Sequence, residues 1–128
     1  MIAHESGHHI QNLLGTMGKV TTQQGPTSDS VRLELQADCY AGMWAKSATT
    51  TDDATGRPLF ESLTDADIKQ AIAAATAVGD DRIQEESGGR VNPEQWTHGS
   101  AAQRVKWFRT GFTQGSLDAC DTFSTSSL

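Results

Sequence analysis

Apolar residues are sparse along this chain, and where they recur they do so at helical rather than alternating spacing. In the opening segment Ile2, Leu13, Leu14 and Met17 stand among polar residues, and Gly15 and Gly18 weaken the pattern, which predicts a helix ending near Gly15. The stretch "TTQQGPTSDS" reads as a connector from its Gly-Pro and hydroxyl content. Ser28 or Asp29 can cap a second helix, "SVRLELQADCYAGMWAKSA", with Val31, Leu35, Cys39 and Met43 near one face. "TTTDDATGRP" is loop. Thr64 with Asp67 three residues later resembles a capping arrangement for a third helix through "DADIKQAIAAATAVG", where Gly79 suits the terminating position. "EESGGRVNPEQWTHG" is irregular again. Ser100 and Gln103 form a capping box for a fourth helix, with Val105, Phe108 and Phe112 on its apolar side, and residues 121–128 read as a disordered tail. Strand evidence is weak throughout, there is no internal repeat, and the expected fold is mainly α: about four helices with long loops.

Composition narrows this picture in two ways. Leu, Ile, Val and Phe supply 22 of the 128 residues, below the roughly 20% at which disorder becomes a serious reading. The formal charge of −6 is too modest to enforce disorder, so the expectation is one folded but thinly cored domain, short of a packing partner. The acidic balance offers no basic stripe for nucleic acid and no polybasic anchor for a membrane. No apolar run is long enough to span a bilayer, and nothing resembles a signal peptide. Cys39 and Cys120 lack the spacing of a metal or redox pair, and spacing alone leaves them open as a disulfide or as two buried thiols.

The chemistry sits at the start. His4-Glu5-Ser6-Gly7-His8 is an H-E-x-x-H pattern, and on a helix residues four apart share a face, so both imidazoles can meet one ion with Glu5 beside it. By chance this pattern occurs in a chain of this length on the order of a few times in a thousand. Zinc suits two neutral imidazoles and a carboxylate, with a fourth position open. His9 lies about 100° around the helix from His8 and is read as packed or hydrogen-bonded. One loop later Glu34 and Asp38 are again four apart. A carboxylate from this second helix can close the site, and Asp38 can accept the free ring N–H of a ligating histidine. Glu61, Glu85, Glu86 and Glu94 lack such a setting and are read as surface residues. Trp96 and Trp107 are read as wholly or partly buried.

With those residues in hand, the chain resembles the neutral zinc metallopeptidases of bacteria, through "AHESGHHIQNLLG", "SVRLELQADCYAG", "AVGDDRIQEESGGRV", "WTHGSAAQRVKWFRTGF" and "ACDTF". More distantly, Glu-x-x-x-Asp after the histidine motif looks like the gluzincin group. The resemblance implies His4, His8 and Glu34 as ligands to Zn2+, Glu5 as the general base acting with a zinc-activated water, and Asp38 behind a ligand. It implies hydrolysis of a peptide or protein substrate. The alternative is a zinc-binding but inactive interaction module. "THGSAAQR" looks like an element that related membrane metallopeptidases place near the zinc, which makes His98 a candidate catalytic donor and Arg104 a candidate transition-state or substrate contact. The family's extracytoplasmic, membrane-anchored setting implies that Cys39 and Cys120 pair. Its members also carry a segment before the histidine motif, so residues 1–128 are expected to be the helical C-terminal part of a zincin-like catalytic domain, without the upstream edge strand that binds substrate.

Overall fold

The computed structural model describes residues 2–49, 52, 54–57 and 64–128. Glu61 and parts of the expected loop at 49–58 lie outside the described residues. The chain is mainly helical: α1 (Ile2–Leu13), α2 (Asp29–Ala48), α3 (Asp65–Ala77), α4 (Asp80–Glu86) and α5 (Ala101–Gln114) alternate with short 3-10 turns at Thr16–Lys19, Pro93–Gln95 and Asp118–Cys120. No extended strand occurs among the described residues.

Local chemistry sets most of the boundaries. α1 stops before Gly15, which takes a left-handed φ of 73°. Ser28, rather than Asp29, caps α2 by accepting from the Val31 amide. Both expected capping boxes form, at Thr64/Asp67 and at Ser100/Gln103. The expected four helices are joined by one more, α4. α4 buries none of its residues, so no apolar periodicity announces it. Gly79, expected to close α3, instead occupies the position before α4, whose first turn carries Asp80 and Asp81.

The core lies between α2 and α5 and takes in Val31, Leu35, Cys39, Tyr40, Trp96, Trp107 and Cys120, with Met43 and Leu128 packed against it. The α2 face follows the sequence reading. The α5 face does not: Ala101, Arg104, Trp107 and Gly111 are buried, while Val105, Phe108 and Phe112 are only half-buried. Close approach of the two backbones decides this. A Cβ at Gly111 would overlap the Cys39 carbonyl, and one at Gly42 would overlap the Phe108 carbonyl, so α5 must turn its small residue toward α2.

A disulfide joins Cys39 on α2 to Cys120, 81 residues on. The expected disordered tail is instead held to α2. Arg32 donates from Nη1 to the carbonyls of Thr122 (2.5 Å) and Thr125 (2.7 Å), and the Thr122 hydroxyl, fully buried, donates back to the Arg32 carbonyl. A guanidinium that satisfies two carbonyls gives a segment so poor in apolar residues a polar attachment to α2.

Candidate metal centre

α1 is turned opposite to its apolar pattern. Ile2, Ile10, Leu13 and Leu14 are exposed, and the face toward α2 carries His4, Gly7, His8 and Gln11. Gly7 makes this possible. A Cβ there would come within 2.7 Å of the Ala37 carbonyl oxygen, so only glycine lets the two backbones meet between the two histidines. The ridge of α2 opposite Gly7 runs through Glu34 and Asp38.

Three donor atoms converge at that crossing. His4 Nε2 lies 3.1 Å and His8 Nε2 3.2 Å from the same oxygen of Glu34, and one ligand atom from each residue lies within 4.8 Å of both others. The far side of each ring is engaged as well. His4 Nδ1 is 2.8 Å from Asp38 Oδ1, and His8 Nδ1 is 2.8 Å from Gln11 Oε1. Gln11 is completely buried and its amide nitrogen donates to the Leu33 carbonyl (2.7 Å) and to Gln36 Oε1 (3.0 Å), which fixes its oxygen toward His8. Gln36 in turn donates to the Cys120 carbonyl.

This arrangement poses an electrostatic problem that a cation solves. With Nδ1–H donated to Asp38 or Gln11, a neutral imidazole has only a lone pair at Nε2, and that lone pair faces carboxylate oxygen. Protons must enter, or a metal ion must. In the metal-free chain protons do so: burial disfavours charged His4, yet hydrogen bonds to Asp38 and Glu34 outweigh it and raise the pKa to about 9. The hydrogen bond to Glu34 raises His8 as well, against its burial. Burial alone would raise Glu34, but hydrogen bonds from His4 and His8, with the charges of His8 and His98, hold it far below the usual carboxylate range. Two imidazole nitrogens and one carboxylate on two crossing helices, each ring oriented from behind, fit a zinc ion.

The chain belongs to a zinc metallopeptidase family. The family model, described as "Putative neutral zinc metallopeptidase", matches residues 1–123. The chain is 57% identical over 130 residues to the uncharacterized protein Rv2575 of Mycobacterium tuberculosis, covering 100% of this chain and 44% of that relative. It is 44% identical over 132 residues to the uncharacterized protein YpfJ of Escherichia coli, covering 98% of this chain and 43% of that protein. It therefore spans less than half the length of these relatives. No solved structure matches.

Around these three donors the remaining residues fall in distinct places. Glu5 is exposed on α1, three residues before His8 and so on the neighbouring side of the helix. His9 is exposed rather than packed. Arg104 is buried, donating from Nε to Asp38 Oδ2 (2.8 Å), from Nη2 to Asp38 Oδ1 (3.1 Å) and from Nη1 to the Val78 carbonyl (3.1 Å). It grips the carboxylate that orients His4, and it also borders an apolar cavity of about 420 Å³ that reaches from His4 and Asp38 along α3 to Phe108 and Phe112. His98 is exposed, with Nδ1 2.8 Å from the Thr97 hydroxyl and 3.7 Å from Asp80 Oδ1. Trp96 and Trp107 are both buried. Sequence reasoning missed Gln11. Its signal was present: it is three residues after His8, on the ligand face of the same helix.

Proposed function

We propose that this chain is the metal-binding, catalytic part of a zinc-dependent peptidase, acting on peptide bonds of a protein or peptide substrate. The observation that carries this reading is the convergence of His4 Nε2, His8 Nε2 and Glu34 Oε2 while both Nδ1 atoms are committed to acceptors behind them. When bound, zinc supplies a Lewis acid that polarises a carbonyl and acidifies water. The chain's own residues do the rest. Asp38 and Gln11 hold the two rings in the tautomer that presents Nε2, and Arg104 keeps Asp38 in place. Glu5, on the open side of α1, accepts the proton of the attacking water and returns it to the departing amine. His98 donates to the oxyanion that develops on the carbonyl oxygen, a role supported by its place in the loop that leads into α5, whose Arg104 holds Asp38 behind His4.

The Cys39–Cys120 disulfide supports an extracytoplasmic setting, in which thiols stay oxidised. No helix among the described residues is long and apolar enough to cross a membrane, and membrane anchoring of the longer protein is part of the proposal. A second reading, a zinc-holding module without turnover, is favoured by the lack of any strand beside the site among the described residues. Zinc content and cleavage of an unfolded protein substrate, measured for wild type and Glu5→Gln, separate the two. Peptidase activity predicts one zinc in each protein and a loss of roughly a hundredfold or more in turnover in Glu5→Gln. Equal cleavage by both would refute the role of Glu5, and absence of zinc from His8→Ala and wild type alike would refute the metal site.

A further inference from the structure

The segment "AVGDDRIQ" has so far entered only through the Val78 carbonyl that Arg104 meets and the Asp80 oxygen near His98, yet its two aspartates make a fuller and unusual set of bonds. Asp80 Oδ2 accepts from three successive backbone amides, Thr97 (2.8 Å), His98 (2.7 Å) and Gly99 (3.0 Å). The Asp80 amide donates to the Gly99 carbonyl at 2.9 Å, and Asp81 Oδ1 accepts from the Ala101 amide at 2.8 Å. Gly79 lies so close to Ala101 that a Cβ there would overlap the Ala101 backbone. The N-terminal turn of α4 thus clasps the segment that leads into α5, and His98 is in the middle of the clasp.

A surface turn does not need this. Ser100 and Gln103 already cap α5, and three amides gathered on one carboxylate oxygen fix the chain more tightly than a helix start requires. The side chain of His98 is controlled as well, because Nδ1 meets the Thr97 hydroxyl and faces Asp80 Oδ1, which leaves Nε2 as the outward atom. The Asp80 side chain is largely covered, and as a carboxylate it makes charge-assisted bonds to these amides.

We propose that Asp80 is a positioning residue that holds the Thr97–Gly99 backbone in the geometry from which His98 Nε2 reaches the reacting carbonyl oxygen. This rests on the reading of His98 as the oxyanion donor. α4 then has a purpose that its lack of buried residues otherwise leaves unexplained: it presents the first-turn carboxylates to the loop that carries His98.

The test compares wild type, Asp80→Ala, Asp80→Asn, His98→Ala and the Asp80→Ala/His98→Ala double variant, all zinc-loaded and held well below their melting temperatures. Amide hydrogen exchange at Thr97, His98 and Gly99 is expected to rise at least about tenfold in Asp80→Ala, with α2 unchanged, and to return to within about threefold of wild type in Asp80→Asn, whose amide oxygen can still accept. Affinity for a peptide phosphonate, which mimics the tetrahedral oxyanion, is expected to fall about a hundredfold in His98→Ala and at least tenfold in Asp80→Ala. The double variant should be no weaker than His98→Ala alone. In turnover the loss should appear in kcat, with KM within about twofold. Unchanged exchange at residues 97–99 in Asp80→Ala overturns the proposal, as does full additivity in the double variant. His98→Ala with wild-type affinity and turnover overturns the role of His98 and this inference with it, whereas weak His98→Ala beside wild-type Asp80→Ala overturns this inference alone.

Discussion

Gln11→Leu tests how far the proposed zinc site depends on what stands behind it. Leucine nearly matches glutamine in volume and the site is completely buried, so the change removes hydrogen bonds without leaving a large void. His8 Nδ1 loses its acceptor, and the Leu33 carbonyl and Gln36 Oε1 lose a donor. Removing the group that orients a ligating histidine costs about tenfold to a hundredfold in metal affinity, equivalent to about 1.4–2.7 kcal/mol. An unpaired buried acceptor costs about 1–3 kcal/mol. Gln36 keeps its bond to the Cys120 carbonyl and a buried leucine recovers part of the loss, so a net destabilisation of about 1–3 kcal/mol is expected in the metal-free protein. That leaves a domain of ordinary stability folded. Competition against a chromophoric zinc chelator reads the affinity, and urea denaturation in the presence of EDTA reads the stability. Gln11→Glu separates the two effects, because a carboxylate still accepts from His8 but cannot donate to Leu33 or Gln36, so stability should fall about as far as in Gln11→Leu while zinc affinity falls clearly less. If folded Gln11→Leu binds zinc within twofold of wild type, the orientation of His8 does not rest on Gln11.

Gly111→Ala should cost upwards of about 3 kcal/mol, since its methyl has only the Cys39 backbone to meet and neither helix can yield without opening the core; a melting temperature unchanged within a few degrees would contradict the close crossing. Reduction of the Cys39–Cys120 disulfide opens a loop of 81 residues and should lower stability by about 2–5 kcal/mol, read from the urea midpoint with and without reductant. In the metal-free protein, the contribution of His4 is complete below its ordinary pKa of 6.5 and is lost as pH rises toward about 9, while that of Glu34 is complete above its ordinary 4.5 and is lost as pH falls below it. Melts in EDTA should therefore show the site's full contribution between about pH 4.5 and 6.5, and His4→Gln should flatten the alkaline limb; an identical pH profile in that variant would disprove the assignment.

The convergence of His4, His8 and Glu34 was legible because helical spacing alone puts His4 with His8 and Glu34 with Asp38. What closes around it was not. Arg104 reaches Asp38 from 66 residues away, and no local pattern distinguishes an arginine buried on a carboxylate from one lying at the surface. Gln11 likewise looks like any polar helix residue until its partners are known. α1 is the instructive case. Its apolar residues alone would have turned Ile10, Leu13 and Leu14 inward, and the histidine motif pointed the other way. The structure follows the motif, because the alternative would leave the largely covered carboxylates of Glu34 and Asp38 without their histidine partners. α4 and the ordered tail escaped for a shared reason: both are held by hydrogen bonds to backbone, from Asp80 and Asp81 in one and Arg32 in the other, and such bonds have no period.

α2 presents its core residues Val31, Leu35 and Cys39 to one side and Glu34 and Asp38 one position earlier, about 100° around the helix. The carboxylates are therefore anchored by a packed core, a disulfide and Arg104. The histidines are not so anchored. α1 meets α2 through Gly7 and polar side chains, with its apolar residues exposed, so little hydrophobic burial holds it in place and the bonds of His4, His8 and Gln11 must do so. Metal affinity and the docking of α1 are then largely one free energy. On the proposed reading, a ligand set split between a rigid helix and a helix held by the site itself would bind zinc at the cost of ordering α1, and any change that loosens α1 would appear as weaker zinc binding. That is why Gln11, which touches no metal, is expected to govern both.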